Sequence, residues 1–228
     1  MQPQELCGPS SARFSYLDKC LNSIIHGDCC SVMQNLPDNS VNLVLTDPPY
    51  LINYHSRDGR TIAGDVYDSW LNPAFTEAYR ILKHGCFCIS FYGWSKADRY
   101  LKAWREAGFR PVGHLVLIKS YTSGSGFLQY RHEQAYLLAK GRVEYPPSPI
   151  SDVQHWKYTG NRFHPTQKPV GTLIRLIRTF TQPGDIILDP FCGSGSTLLA
   201  AKISGRCYLG IEVQHNYYQI ARRRLRTH

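Results

Sequence analysis

Apolar residues along the chain come in two kinds of block, and the two kinds take turns. Short unbroken runs such as VNLVLT (41–46) have the length of buried strands, whereas stretches such as 96–107 space their apolar positions as a helix does. The pattern predicts extended segments at 23–27, 41–46, 86–91, 111–119, 133–139, 185–188 and 207–211, and helices at 29–36, 73–82, 96–107, 170–179, 196–203 and 215–225. Pro37 closes the first helix, and Pro48-Pro49 stop the strand before them, because proline cannot donate to a ladder. Residues 1–21, rich in Pro, Ser and Gln and without period, read as a loose N-terminal arm. Residues 51–70 lack periodicity and read as a mobile loop; 141–163 form a second polar, Pro-rich connection. Strands alternating with helices mean βαβ units, so residues 22–228 are predicted to be a single α/β domain with a mostly parallel sheet and helices on both faces. In such sheets ligands bind beyond the carboxyl ends of the strands.

Composition narrows the class. A chain of 228 residues with 43% hydrophobic and 19% charged residues builds a core and is not a disordered tail. The formal charge of +9 is uneven: residues 1–114 hold 11 basic and 11 acidic side chains, 115–228 hold 15 and 6. A polyanion would therefore be expected on the second half. The eight cysteines show neither zinc-knuckle nor secreted-framework spacing, so no metal site is expected. The chain does not open on a basic start followed by an apolar run, and no run approaches 18 apolar residues. A cytoplasmic protein with no membrane partner is the expectation.

Three polar clusters follow strands. Asp189-Pro190-Phe191-Cys192-Gly193-Ser194-Gly195-Ser196-Thr197 places glycines between a strand and a helix, where backbone can approach a ligand closely. No lysine follows the last glycine, which excludes a Walker loop, and the spacing departs from GxGxxG. Glu212 ends the next strand about twenty residues on, where a ribose-hydroxyl acceptor would stand. The pair describes a nucleoside-containing cofactor lying across two strand ends. The third cluster, Asp47-Pro48-Pro49-Tyr50, offers a carboxylate and a proline carbonyl to accept two amine protons, with an aromatic ring to stack on a base.

TDPPY (46–50), DPFCGSGST (189–197) and HPTQKP (164–169) together resemble the amino-group DNA methyltransferases, which methylate adenine N6 or cytosine N4 with S-adenosylmethionine. The catalytic motif precedes the cofactor loop, an order similar to the permuted β group, and the resemblance covers roughly residues 22–225. It implies a Rossmann-like methyltransferase fold. Asp189, Phe191, Gly193, Ser194 and Gly195 would form the cofactor loop, Glu212 would hold the ribose, Asp28 would lie near the adenine ring, and Thr166 and Lys168 would receive the methionine end. Asp47, Pro48, Pro49 and Tyr50 would hold the target base, with Asp47 also facing the cofactor. Cys192 stands where the family often has Ala and reads as packing. Transfer is expected to be direct and in line, onto a base flipped out of duplex DNA or presented by a single strand.

DPPY is the usual spelling for adenine, while cytosine-N4 enzymes more often read SPPY; adenine is therefore the expected target and cytosine N4 the alternative. Methylation of RNA or of protein on the same fold usually places the cofactor loop first. An inactive DNA-binding module would not need the intact Asp47, Gly193, Gly195, Glu212 and Lys168 set. The expected target-recognition insertion, 141–163, is short, so a short or relaxed target is expected, with phosphate contacts from Arg131, Arg142, Lys157 and Arg162. The resemblance also implies a homodimer. A cognate restriction nuclease would have to lie elsewhere.

Overall fold

The computed structural model describes residues 9–227 except 57, 58, 60, 124, 125 and 161. Its elements run α1 (Pro9–Cys20), β1 (Ser23–His26), α2 (Cys29–Met33), β2 (Val41–Thr46), α3 (Leu71–Ile81), β3 (Leu82–Phe91), α4 (Ala97–Ala107), β4 (Arg110–Lys119), β5 (His132–Ala139), β6 (Val153–Trp156), α5 (Val170–Phe180), β7 (Ile186–Asp189), α6 (Ser196–Ile203), β8 (Cys207–Glu212) and α7 (His215–Arg226). One sheet takes the strands in the order β1-β8-β7-β2-β3-β5-β4-β6. β5 alone is reversed, pairing antiparallel with β3 and β4; every other pairing is parallel.

The sheet is covered on both faces, so its central strands are apolar throughout rather than alternating. Val44, Leu188 and Leu209 face one core with Met33, Phe75, Tyr100 and Trp104 of α2–α4. Leu43, Leu45, Ile89 and Ile187 face the other, against Leu173, Leu176, Leu198 and Ala221 of α5–α7. Gly210 on β8 marks a close approach: an added Cβ would lie 2.3 Å from Leu198. The order β1-β8-β7-β2 puts four carboxyl ends side by side, and each is followed by one of the acidic residues Asp28, Glu212, Asp189 and Asp47 or ends in it.

Three sequence expectations are corrected. Residues 1–8 lie outside the described residues, but Pro9–Cys20, expected in a loose arm, is a helix whose Leu17 and Cys20 are buried. Residues 153–156, expected inside an irregular insertion, form β6 on the edge of the sheet. This strand divides 141–163, so that residues before it lie at the amino ends of the parallel strands and residues after it at the carboxyl ends. β3 starts at Leu82, four residues before the expected strand. The described part of 51–70 has no regular element, as expected, and side chains within it bond its backbone. Buried Asp65 accepts the N–H groups of Leu51 and Tyr54 at 2.6 Å each, and the Trp70 indole donates to the Gly64 carbonyl at 2.8 Å. No described helix is long and apolar enough to cross a membrane.

Candidate active site

At the carboxyl ends of β1, β8, β7 and β2 lies a cavity of about 300 Å³, bordered by the 51–70 loop and the segment before α5. Every residue expected to bind cofactor or base lines it, except Gly195: Asp28, Asp47, Pro48, Pro49, Tyr50, Thr166, Lys168, Asp189, Phe191, Gly193, Ser194 and Glu212. Gly195 instead shapes the turn into α6, with a left-handed φ of 77° and an added Cβ only 3.1 Å from that of Ala221.

The cofactor loop is built by its neighbours. Asp189 accepts from the Thr46 hydroxyl at 3.0 Å and from the Phe191 N–H at 3.2 Å, joining the ends of β7 and β2. Burial pushes its pKa up to about 7. Glu212 accepts the N–H groups of Gly193 and Gln214, both at 2.8 Å, and burial raises its pKa as well. A carboxylate offers about four lone-pair sites, so acceptor capacity remains for a ribose hydroxyl. Phe191 meets Trp70 edge to face at 4.9 Å, and Ile211 and Val213 add an apolar wall. A wall for a purine, an acceptor for hydroxyls and carboxylates nearby for a cation together fit S-adenosylmethionine. Asp28 caps α2 through the Ser31 N–H at 2.9 Å. Arg224 turns inward from the C-terminal arginine run and donates to the Ser194 carbonyl at 3.1 Å and the Ser196 hydroxyl at 3.0 Å.

The catalytic candidates sit in a charge network that alternates in sign. Lys168 pairs with Asp47 Oδ2, the Tyr50 hydroxyl donates to Asp47 Oδ1 at 2.9 Å, and that hydroxyl also lies 3.2 Å from Glu133 Oε2. Lys119 pairs with the other oxygen of Glu133. Burial raises the pKa of Asp47, and Lys168 offsets only part of the rise. Burial also acts on Glu133, but Lys168 and Lys119 outweigh it and hold that carboxyl below its ordinary range. Burial and the two carboxylates push the Tyr50 phenol well up, so it remains a donor. The loop itself is pinned: the Tyr100 hydroxyl holds the Pro49 carbonyl, and a Cβ at Gly93 would stand 2.9 Å from that of Tyr50.

Beyond Tyr50 opens a second cavity of about 1030 Å³, walled by Tyr92, Trp94, Tyr121, Tyr130, Trp156 and Tyr158, with Lys119 and Glu133 at its lining. Lys119, Glu133 and Trp156 were missed as site residues; both lysines lie over the Trp156 ring, at 5.4 and 5.5 Å. A glutamate opening an apolar strand and a lysine closing one were the available signals. None of the four cations expected on DNA lines the first cavity. Arg131, Lys157 and Arg162 are exposed at the carboxyl-end side of the sheet, whereas Arg142 follows the far end of β5, where its carbonyl would lie 3.5 Å from a Cβ at Gly85.

This arrangement, a nucleoside-sized cavity next to an acidic-aromatic pocket at the carboxyl ends of a mostly parallel sheet, defines an enzyme that acts with a nucleoside-containing cofactor. Residues 41–223 match the DNA methylase family, and the chain belongs to that family. It is 54% identical over 205 residues to YubD of Escherichia coli strain K12, a protein that carries the name of a methylase, covering 90% of each chain. It is 31% identical to the DNA adenine methyltransferase YhdJ of the same organism, over 89% of this chain and 82% of that one. Among solved structures, the M1.HpyAVI complex with S-adenosylmethionine superposes with a TM-score of 0.71 at 24% identity, over 89% of this chain and 98% of that chain. The cytosine-N4-specific PvuII DNA methyltransferase superposes at 0.74 with 18% identity, over 88% and 84%. The likeness therefore extends in sequence to a protein named as an adenine methyltransferase and in fold to one named as cytosine-N4-specific.

Proposed function

We propose that the protein transfers the methyl group of S-adenosylmethionine to the N6 amine of adenine in DNA, by direct in-line attack. The observation that carries this reading is Tyr50, which lines both cavities and donates its hydroxyl to Asp47, a residue of the first. One cavity suits the cofactor and the other is wide and aromatic, as a flipped-out base requires. The chain order, with TDPPY before the glycine loop, supports a member of the permuted β group.

S-adenosylmethionine supplies an electrophilic methyl on a sulfonium. The chain supplies everything else. Asp47 and the Pro48 carbonyl accept the two protons of the amine, which favours a pyramidal nitrogen and aims its lone pair toward the cofactor cavity. Tyr50 stacks on the base, offsetting ~1–3 kcal/mol of the cost of unstacking. After transfer the amine must lose a proton, and Asp47, whose proton affinity is raised by burial, stands in contact with it. Lys168 lines the cofactor cavity together with Asp47 and pairs with it, opposing the negative charge of that carboxylate.

DPPY and the adenine methyltransferase YhdJ at 31% identity favour adenine, while the cytosine-N4 neighbour supports N4 methylation of cytosine as the second reading. The test is digestion to nucleosides of methyl-free DNA after incubation with S-adenosylmethionine and the enzyme. N6-methyladenine is expected with the unmodified protein and not with Asp47→Ala, while S-adenosylmethionine still raises the melting temperature of that variant. N4-methylcytosine would replace the base and keep the mechanism. No methylated base at all would overturn the reading.

A further inference from the structure

β4 and β5 leave the sheet at the rim of the wider cavity and are joined by residues 120–131. This connection is closed at its base. The Lys119 N–H donates to the Arg131 carbonyl at 2.8 Å, and the Ser123 N–H to the Tyr130 carbonyl at 2.9 Å. The Ser123 hydroxyl donates to the same carbonyl at 3.0 Å, and near the tip the Gly126 N–H donates to the Leu128 carbonyl at 3.1 Å. On this tip Phe127 is fully exposed, at 105%, and Leu128 is 70% exposed. The aromatic residues below them are engaged: Tyr130 stacks on Trp94 at 6.2 Å, and Tyr121 meets Tyr158 at 4.8 Å. Two adjacent large apolar side chains are thus held in water, on a braced hairpin, with exposed Arg131 at its base.

We propose that Phe127 and Leu128 are a wedge that enters the base stack of duplex DNA, filling the gap left when the target base moves into the cavity beside Tyr50. The inference rests on the reading that the substrate is DNA and that its target base leaves the helix. A base that leaves removes stacking from its neighbours, and an apolar side chain inserted at that step replaces part of the lost contact. The geometry suits this partner. The hairpin springs from the two strands that carry Lys119 and Glu133, so a duplex lying across the mouth of the cavity meets the tip beside the base it surrenders. The cation at the hairpin base suits the phosphates that flank such a step.

The experiment first maps the methylated site made by the unmodified protein in methyl-free genomic DNA. Synthetic duplexes then carry the target base either paired or opposite an abasic position, where its pairing and the stack of the facing strand are already lost. Phe127→Ser with Leu128→Ser is expected to lower kcat/KM on the paired duplex by about tenfold or more, and to stay within about twofold of the unmodified protein on the abasic-opposed one. Unchanged thermal stabilisation by S-adenosylmethionine checks that the variant is folded. Equal loss on both duplexes, no loss on either, or a changed particle mass in sedimentation overturns the wedge, the last by making the tip a contact between copies. Failure of the unmodified protein to methylate any DNA would overturn the parent reading and the wedge with it; the paired-versus-abasic comparison isolates the wedge alone.

Discussion

Asp47 is a half-buried carboxylate whose protonation is set chiefly by two opposed effects, desolvation raising its pKa and the Lys168 ammonium pulling it back. Methyl transfer needs the ionised form, since a protonated carboxyl accepts fewer amine protons. The acid limb of kcat is therefore expected above the range of an ordinary carboxylate, with activity present above Asp47's folded-state pKa and lost as pH falls through it. Lys168→Met removes the cation that lowers this pKa, so the limb is expected to move to higher pH. Single-turnover rates at saturating cofactor between pH 5 and 9 check this, and an unmoved limb would mean that Lys168 does not act through Asp47. The four-residue motif was legible because it is contiguous, but its electrostatic surroundings were not. Glu133 reaches Tyr50 across 83 positions of sequence and Lys168 reaches Asp47 across 121, and no local period encodes such pairs. Trp156 was hidden further, in a four-residue strand framed by polar residues and prolines.

Among elements, the helices and strands that alternate around the glycine loop follow their apolar patterns closely, whereas α1 and β6 do not. Among its described side chains α1 buries Leu17 and Cys20, too few to make a periodic stripe. The 51–70 loop depends on one side chain. Leu51 and Asn53 hold left-handed backbone, with φ of 61° and 52°, conformations that cost non-glycine residues energy unless their surroundings fix them. Asp65, 1% exposed, does so by accepting the N–H groups that flank this turn. Asp65→Ala leaves the buried Leu51 N–H without its acceptor, a penalty of about 1–3 kcal/mol. Because Ile62, Gly64 and Trp70 line the cofactor cavity, thermal stabilisation by S-adenosylmethionine is expected to shrink, and proteolysis within 51–70 to quicken. A variant that keeps full stabilisation would show the loop to be independent of the cofactor.

At the scale of the whole molecule, the +9 charge and its concentration in the second half favour a polyanion, but they do not say which face it meets. The topology does. β5 runs against the rest of the sheet, so its first residues share the carboxyl-end face with the active site while its last residues lie at the opposite end. Arg131 precedes β5 and Arg142 follows it; the two arginines, eleven positions apart, are therefore separated by the length of the strand. Lys157 and Arg162 follow β6, which runs parallel to β4 and ends on the site face. DNA engaged at the two cavities would meet Arg131, Lys157 and Arg162 and would pass Arg142 by. Each phosphate contact contributes about 0.9 to the slope of log affinity against log salt, so replacing the three by alanine is expected to reduce that slope by about 2–3. Affinity should fall most at low salt. Arg142→Ala removes the same kind of charge from the far end and is expected to leave the slope unchanged. Binding isotherms for a single duplex from 50 to 200 mM salt, roughly the range over which counterion release is most visible, separate the outcomes. Equal effects from all four residues would mean that charge acts through its total, and an effect of Arg142→Ala alone would place the DNA on the wrong end of the sheet.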